Sequence, residues 1–544
     1  MDCGSRFHAQ DHAACRPPYR LQHQHHGRHI DRPDRAQPAA KGRGLETVIS
    51  LSDVSYRYPG NDQAWDLERI TLTIEDSEFV LVCGASGSGK STLAYLLNGL
   101  IPHFFGGILQ GDVRVDGLDT REMSVARLLP HVGMVLQNTD AHLFSSTVEN
   151  EIAFGLESLG IAQAEIRTRI RRITEMLGIE DLLDRPPLAL SGGERRLVAI
   201  GSVLCLNPSH LVLDEPFAHL DWEGIRRVRH VLAGLHQMGK SVVVIEHRIS
   251  GLLRLASRCL IVEKGKIISD TPSLGGSALL REIHLIPNYP ENPKRDLQCN
   301  TESISLQDLS HEREGRKILE DVSFRIRRGE AVAIVGRNGS GKTTLIRHFN
   351  GLRRPSRGSV SVMGSPLQGR GPLEMASLVG ISFQNPNDQF FKTSVREELA
   401  TGVKVSGKGQ HEVWEICDLF QLHGIVDRSP YRLSEGEKRR VAIATIAAMN
   451  SEILVIDEPT VGQDGRFLEA LAALVAALRD RGHTVVIVTH DLDFALAVSD
   501  RWIVLHEGRK VADGNPEKLI RNETLIALGA MEPHPEKEPF VVKP

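Results

Sequence analysis

Two glycine-rich runs carry the first chemistry legible in this chain of 544 residues. Gly84-Ala85-Ser86-Gly87-Ser88-Gly89-Lys90-Ser91 and Gly336-Arg337-Asn338-Gly339-Ser340-Gly341-Lys342-Thr343 each follow a short aliphatic run and precede a helix-like one. Glycines at that spacing let backbone N–H groups close around phosphate oxygens, and a helix N-terminus adds positive potential. Lys90 and Lys342 would reach β- and γ-phosphates, and the Ser91 and Thr343 hydroxyls would hold Mg²⁺. One such run could be a chance turn; two in the same context could not.

Two acid pairs come next. Asp214-Glu215 and Asp457-Glu458 each close an aliphatic run, and the carboxyl end of a parallel strand is where α/β proteins bind ligands. Asp214 and Asp457 would hold Mg²⁺ through water; Glu215 and Glu458 would orient and deprotonate an attacking water. His247 and His490 follow another aliphatic run, each 33 residues past its aspartate. A lone histidine is more often structural, but the repeated spacing assigns both to the γ-phosphate. Gln137 and Gln384 close strand-like segments between loop and later motif, and a neutral amide there can ligate Mg²⁺ or water. Ser191-Gly-Gly-Glu194 and Ser434-Glu-Gly-Glu437 precede aliphatic-rich helices. A serine at a helix start is a second anion site. Each half then has two phosphate sites, and its serine needs a different nucleotide from its loop.

The elements behind these residues repeat. From the Leu-Ser motif onward the second copy stands 243 residues after the first, as Ser434 to Ser191, Asp457 to Asp214 and His490 to His247. At the glycine-rich loops the offset is 252, so the first copy holds nine extra residues in between. The expected organisation is a disordered extension over 1–47, a first ATPase domain over 48–272, a linker over 273–301, a second domain over 302–531 and a tail over 532–544. Short buried strands are expected at Phe79–Cys83, Ala331–Val335, Leu211–Leu213, Ser241–Ile245 and Thr484–Val488. Helices are expected at Thr92–Gly99 and Ile225–Met238. Buried strands alternating with helices imply a parallel α/β core.

Composition narrows the class. Hydrophobic residues are 41%, charged residues 25% and the formal net charge is −4, which excludes wholesale disorder and a global basic coat for nucleic acid. Seven scattered cysteines without a Cys-x-x-Cys pair argue against zinc ribbons, iron–sulfur clusters and a disulfide framework. No apolar run approaches the ~18–20 residues of a membrane helix, so any channel must come from another chain. The segment 1–44 holds His8, His12, His23, His25, His26 and His29 without apolar periodicity. It reads as a tail rather than a metal site, and translation is expected to start at a non-ATG codon near Val48.

Taken in order, these blocks resemble the nucleotide-binding domains of ABC transporters across roughly 450 residues. The resemblance implies an α/β fold with two tandem domains, each a parallel-sheet core with an antiparallel β part and a helical subdomain. It implies a head-to-tail pairing that binds two ATP with Mg²⁺ within one chain. One site would use Lys90, Ser91, Gln137, Asp214, Glu215 and His247 with Ser434 opposite; the other, Lys342, Thr343, Gln384, Asp457, Glu458 and His490 with Ser191 opposite. Asp221 and Asp464 match acids that communicate across the pair. Tyr58 fits the aromatic that stacks on adenine, whereas Arg313 stands at that place in the second half.

Gln384-Asn-Pro-Asn-Asp-Gln-Phe-Phe391 and Gln137-Asn-Thr-Asp-Ala-His-Leu-Phe144 resemble a block of energy-coupling-factor importers. That resemblance implies a fused ATPase serving a membrane coupling protein and a small substrate-binding membrane protein, with a vitamin or metal ion as cargo. Segments 138–150 and 385–398 would receive the coupling helices, holding the chain at the cytoplasmic face of the membrane. The alternatives are a soluble tandem ATPase acting on ribosomes, or the tandem ATPase of a sugar or peptide importer. No nucleic-acid partner is expected.

Overall fold

The computed structural model describes residues 48–60, 64–85, 87–137, 143–218, 220–246, 252–253, 255–272, 287–290, 301–367, 369–405 and 411–531. The expected extension, most of the linker, the tail, Ser86, His247 and residues 138–142 lie outside them.

The aliphatic runs form strands buried along their whole length, as five-residue stretches such as Phe79–Cys83, His210–Asp214, Ser241–Ile245, Ala331–Val335 and Ile453–Asp457. Continuous apolar strands need cover on both faces, which a parallel sheet with crossover connections supplies. In the first half six strands run in the order Lys266–Thr271, Arg258–Glu263, Phe79–Cys83, Ser241–Ile245, His210–Asp214 and Val132–Val135. All neighbours pair in parallel except the first two. The second half repeats the plan with Val379–Ser382, Ile453–Asp457, Thr484–Thr489, Ala331–Val335, Arg501–His506 and Arg509–Gly514.

Each half adds a four-stranded antiparallel sheet. Its order is Leu67–Ile74, Ile49–Arg57, Ile108–Val115, Leu118–Asp119 in the first and Arg316–Arg327, Glu302–Arg313, Arg357–Val362, Ser365–Pro366 in the second. Alternating residues of these sheets, such as Leu72, Ile74, Ile304 and Ile326, bury one face against the phosphate-loop helix and the core strands. The opposite face of each core sheet is covered by helices. Val148–Ser158, Gln163–Leu177 and Gly192–Cys205 share one apolar cluster, and Val395–Val405, His411–Phe420 and Glu435–Ala448 share the equivalent one. The α/β architecture is therefore the expected one.

Boundaries differ where a cap decides them. The helix expected from Thr92 starts at Lys90, directly after Gly89 at φ 103. The helix expected from Ile225 spans Trp222–Gln237, because the Asp221 side chain accepts from the Gly224 N–H and starts it earlier.

Candidate functional site

Both phosphate loops leave a core strand through a glycine that no other residue can replace. Gly84 sits at φ 152 and Gly336 at φ 153; a Cβ there would lie 2.1 Å from the Val262 carbonyl and 2.2 Å from the Leu505 carbonyl. That close approach lets each loop curl over the neighbouring strand end. Lys90 is buried, and its Nζ donates to the carbonyls of Gly84 (2.8 Å) and Ala85 (2.7 Å). Lys342 does the same with Gly336 (2.7 Å) and Arg337 (2.8 Å). Burial lowers both ammonium pKa values, and the nearby acid pairs oppose the shift. The Ser340 hydroxyl is buried without a hydrogen-bond partner, as a group awaiting an anion would be.

The acid pairs stand beside the loops. Asp214 is fully buried, and neither carboxylate oxygen has a partner with sound hydrogen-bond geometry; Asp457 has one such oxygen. Burial raises Asp214 to about 6 against the pull of the Ser91 hydroxyl. Burial and the neighbouring Glu458 raise Asp457 to about 7, against the Thr343 hydroxyl. A carboxylate with unused lone pairs next to a hydroxyl is a hard-oxygen donor set that fits Mg²⁺.

Glu215 and Glu458 both take left-handed backbone, at φ 50. Strain of this kind persists only where surroundings impose it. Here the neighbouring strand helps, because each glutamate's N–H donates to it, at Ile245 (2.9 Å) and Val488 (2.8 Å). His490 Nδ1 lies 2.8 Å from Glu458 Oε2, and Lys342 Nζ lies 3.8 Å from Oε1. Burial would raise the Glu458 pKa, but the His490 charge and hydrogen bond and the Lys342 charge outweigh it and bring it to about 2.

Sequence reasoning overlooked the arginines that impose this geometry. Arg196, 1% exposed, donates to the carbonyls of Leu136 (2.6 Å), Gln137 (3.0 Å), Asp214 (2.5 Å), Glu215 and Pro216 (3.4 Å). Arg439 donates to Gln384 (2.9 Å) and Glu458. Each guanidinium ties a helix that begins at the Leu-Ser motif to both the glutamine and the acid-pair segments of its own half. The signal available was an arginine five residues past each serine, masked by the adjacent Arg195 and Arg440. Gln137 and Gln384 themselves are exposed at their strand ends.

The serines Ser191 and Ser434 are exposed helix N-caps. Each forms a capping box, accepting from the N–H of Glu194 or Glu437 (both 3.3 Å) while that glutamate accepts the serine's N–H. The Ser-x-x-Glu spacing signals such a box, a role beyond the anion site expected from the serine alone.

The two halves meet loop to helix start. Arg337 of the second phosphate loop pairs with Glu223 and lies 3.6 Å from Asp221, both in the first half. On the other side Ala85 of the first loop shares a cavity with Arg440, Asp464 and Arg466 of the second half. Just past the strand Ile49–Arg57, Tyr58 bonds Thr92 of the phosphate-loop helix (3.2 Å) and meets Tyr56 and Phe105 edge-on. Arg313 is exposed and pairs with the adjacent Glu314.

Paired phosphate loops and buried acid pairs on duplicated α/β cores define a tandem P-loop ATPase. The chain belongs to the ABC transporter family, whose sequence profile matches residues 67–218 and 319–461, and like the family it binds and hydrolyses ATP. It is 34% identical over 537 residues to an ABC transporter ATP-binding protein of Caldanaerobacter subterraneus subsp. tengcongensis, covering 89% of this chain and 94% of that one. A Methanosarcina mazei protein of the same description is 34% identical over 475 residues, covering 86% and 95%. Among solved structures, the archaeal ribosome recycling factor aABCE1, in complex with the ribosomal stalk protein aP1, matches with a TM-score of 0.64. Its 23% identity, over 88% of this chain and 92% of that one, bears on the fold alone.

Proposed function

We infer that the chain is the ATP-hydrolysing, energy-coupling subunit of a membrane importer of the energy-coupling-factor type, for a vitamin or a metal ion. It would act at the cytoplasmic face of the membrane, with a coupling protein and a small substrate-binding protein as membrane partners. The observation that carries this reading is an aromatic presented outward after the glutamine segment in both halves. Buried Glu151 accepts from the N–H groups of Phe144 (2.9 Å) and Ser145 (2.7 Å), and buried Glu398 from Phe391 and Lys392 (both 2.5 Å). The braced loops leave Phe144 66% and Phe391 61% exposed. Phe154, also exposed, packs edge-on against Phe144 at 4.8 Å. Rigid apolar anchors on otherwise polar loops suit insertion of a partner's helix. Among the described residues no helix is long and apolar enough to cross a membrane, so the channel would belong to the partners.

In this reading each ATP lies on one phosphate loop and under the Leu-Ser motif of the other half. Lys90 and Lys342 would leave the loop carbonyls for β- and γ-phosphate oxygens, and Tyr58 would face the adenine of the first site. Mg²⁺, held by Ser91, Asp214 and Gln137 in one site and Thr343, Asp457 and Gln384 in the other, would neutralise charge on the phosphates. Glu215 and Glu458 would orient and deprotonate the attacking water, with His490 hydrogen-bonded to Glu458. Gln137 and Gln384 each stand seven residues before a braced aromatic, so movement of a docked helix would reach the reacting phosphate along that short segment.

The test is purification from native membranes in mild detergent. A hydrophobic partner should co-purify, and Phe144→Asp with Phe391→Asp should release the chain from membranes while ATP binding persists. Co-sedimentation with ribosomes and no membrane partner would overturn the reading.

A further inference from the structure

In the second half, the segment that follows Gln384 and the segment that precedes Ser434 are bonded to each other. The Val395 N–H donates to the Arg428 carbonyl (3.0 Å) and the Arg396 N–H to the Val426 carbonyl (2.8 Å). The first half repeats this pairing, from Val148 to Arg185 and from Glu149 to Leu183 (both 3.0 Å). Such bonds hold the start of the helix Val395–Val405 against the stretch that leads to the Leu-Ser motif.

A side chain extends that pairing to the exposed aromatic. The Tyr431 hydroxyl donates to the Phe390 carbonyl at 2.6 Å, and its ring meets the Phe390 ring edge-on at 6.2 Å. Phe390 is buried in the apolar cluster of the helices, whereas Phe391, next along the chain, is exposed. Tyr431 itself lies in the helical turn Pro430–Arg432. Pro430 fixes one end of that turn, and Leu433, buried in the same cluster as Phe390, fixes the other. The next residue is Ser434, the N-cap of the helix Glu435–Ala448. Three residues of stiff chain therefore separate the Phe390 contact from the capping serine.

We propose that Tyr431 is a positioning residue that couples Phe391 to Ser434, and through Ser434 to the nucleotide on the loop of Lys90, across the seam between the halves. A helix pressing on Phe391 would shift the Phe390 carbonyl, and the hydroxyl would pass that shift to the turn and the serine. By linkage, a nucleotide that draws Ser434 onto its phosphates acts back on the Phe391 loop to the same extent. The proposal rests on the paired sites and the membrane partner inferred above, and it names the side chain that joins them.

Tyr431→Phe removes only the hydroxyl. The ring is half-exposed, and Leu188 stands at the matching place of the first half, so the fold accepts a side chain without a hydroxyl there. Amide hydrogen exchange read by mass spectrometry tests the coupling in the full chain carrying Glu215→Gln and Glu458→Gln, with and without ATP. The Phe391 and Lys392 N–H groups are held by Glu398 (both 2.5 Å), so their exchange reports opening of the loop. With Tyr431 in place, ATP should slow exchange both in the peptide 388–394 and in the peptide 432–442. In Tyr431→Phe the slowing over 432–442 should remain and that over 388–394 should be largely lost. Equal slowing of both peptides in both chains refutes the coupling and leaves the paired sites standing. Slowing over 432–442 alone, with Tyr431 present, refutes it as well. Loss of both in Tyr431→Phe makes the tyrosine a support of the motif and refutes the relay. If ATP slows neither peptide in either chain, the paired-site reading fails and takes the coupling with it. The membrane reading fails separately, in the co-purification test, because no partner enters the exchange experiment.

Discussion

At the residue scale, the proposed chemistry rests on two glutamates held in left-handed backbone beside buried aspartates. Glu215→Gln and Glu458→Gln should each lower ATP turnover, and together by ~10²–10⁴-fold, the span of a lost acid–base group. Binding of a labelled nucleotide should persist, because the phosphate loops are untouched; parental turnover in the double variant would refute the assignment. Arg196 is the less obvious member. It spans carbonyls from Leu136 to Pro216 with a rigid fork, and its loss strands buried acceptors at the hinge of the site. Arg196→Met should lower stability by about 3–5 kcal/mol, the scale for removing one partner of a buried charged network, read as a fall in the urea midpoint. Arg196→Lys keeps the charge but lacks the planar fork. It should recover part of the stability and little of the turnover. Equal stability of all three chains would show that the carbonyls find other donors.

At the element scale, the halves fasten their antiparallel sheet to the core in different ways. In the first half the turn residue Asp116 accepts from His131 Nδ1 (2.6 Å) and His210 Nε2 (2.8 Å), at the starts of two core strands. In the second half Met363, Leu378 and Ile453 occupy the corresponding places and join one apolar cluster. Burial would raise the Asp116 pKa, but the hydrogen bonds and charges of His210 and His131 hold it below 3.8. A depressed carboxylate stabilises the fold above its unfolded value and loses that contribution as pH falls through the folded one. Asp116→Asn should therefore cost roughly 1 kcal/mol at neutral pH, and the difference from the parent should vanish well below pH 3.8. Thermal melts across that range decide it, and a cost that persists in acid would refute the charge argument. Caps set the helix boundaries in the same local way: Asp221 and Asp464 accept from Gly224 and Phe467 N–H groups at 3.0 Å. Those short-range contacts were open to sequence reasoning that looked for them.

At the scale of the whole molecule, one chain supplies both halves of each seam. Tethering by a linker of this length gives effective concentrations on the order of mM, far above any working protein concentration. Specific ATPase activity should thus stay constant over a roughly hundredfold dilution, and light scattering with both glutamates replaced and ATP present should report a single chain. A two-chain mass, or activity lost on dilution, would show that the sites form between molecules.

The sequence by itself determined the duplication, the α/β class, the phosphate loops, the acid pairs and the glutamines. Each is a local pattern: a buried strand must be continuously apolar, and a phosphate loop must have glycine where a Cβ would strike the next strand. Only the tertiary structure decided which residues hold those patterns together. Arg196 meets carbonyls up to 60 residues away, Asp116 meets His210 at a separation of 94, and Arg337 meets Glu223 at 114. No periodicity records such pairs, because an arginine reads as a solvated charge until the fold removes the water around it.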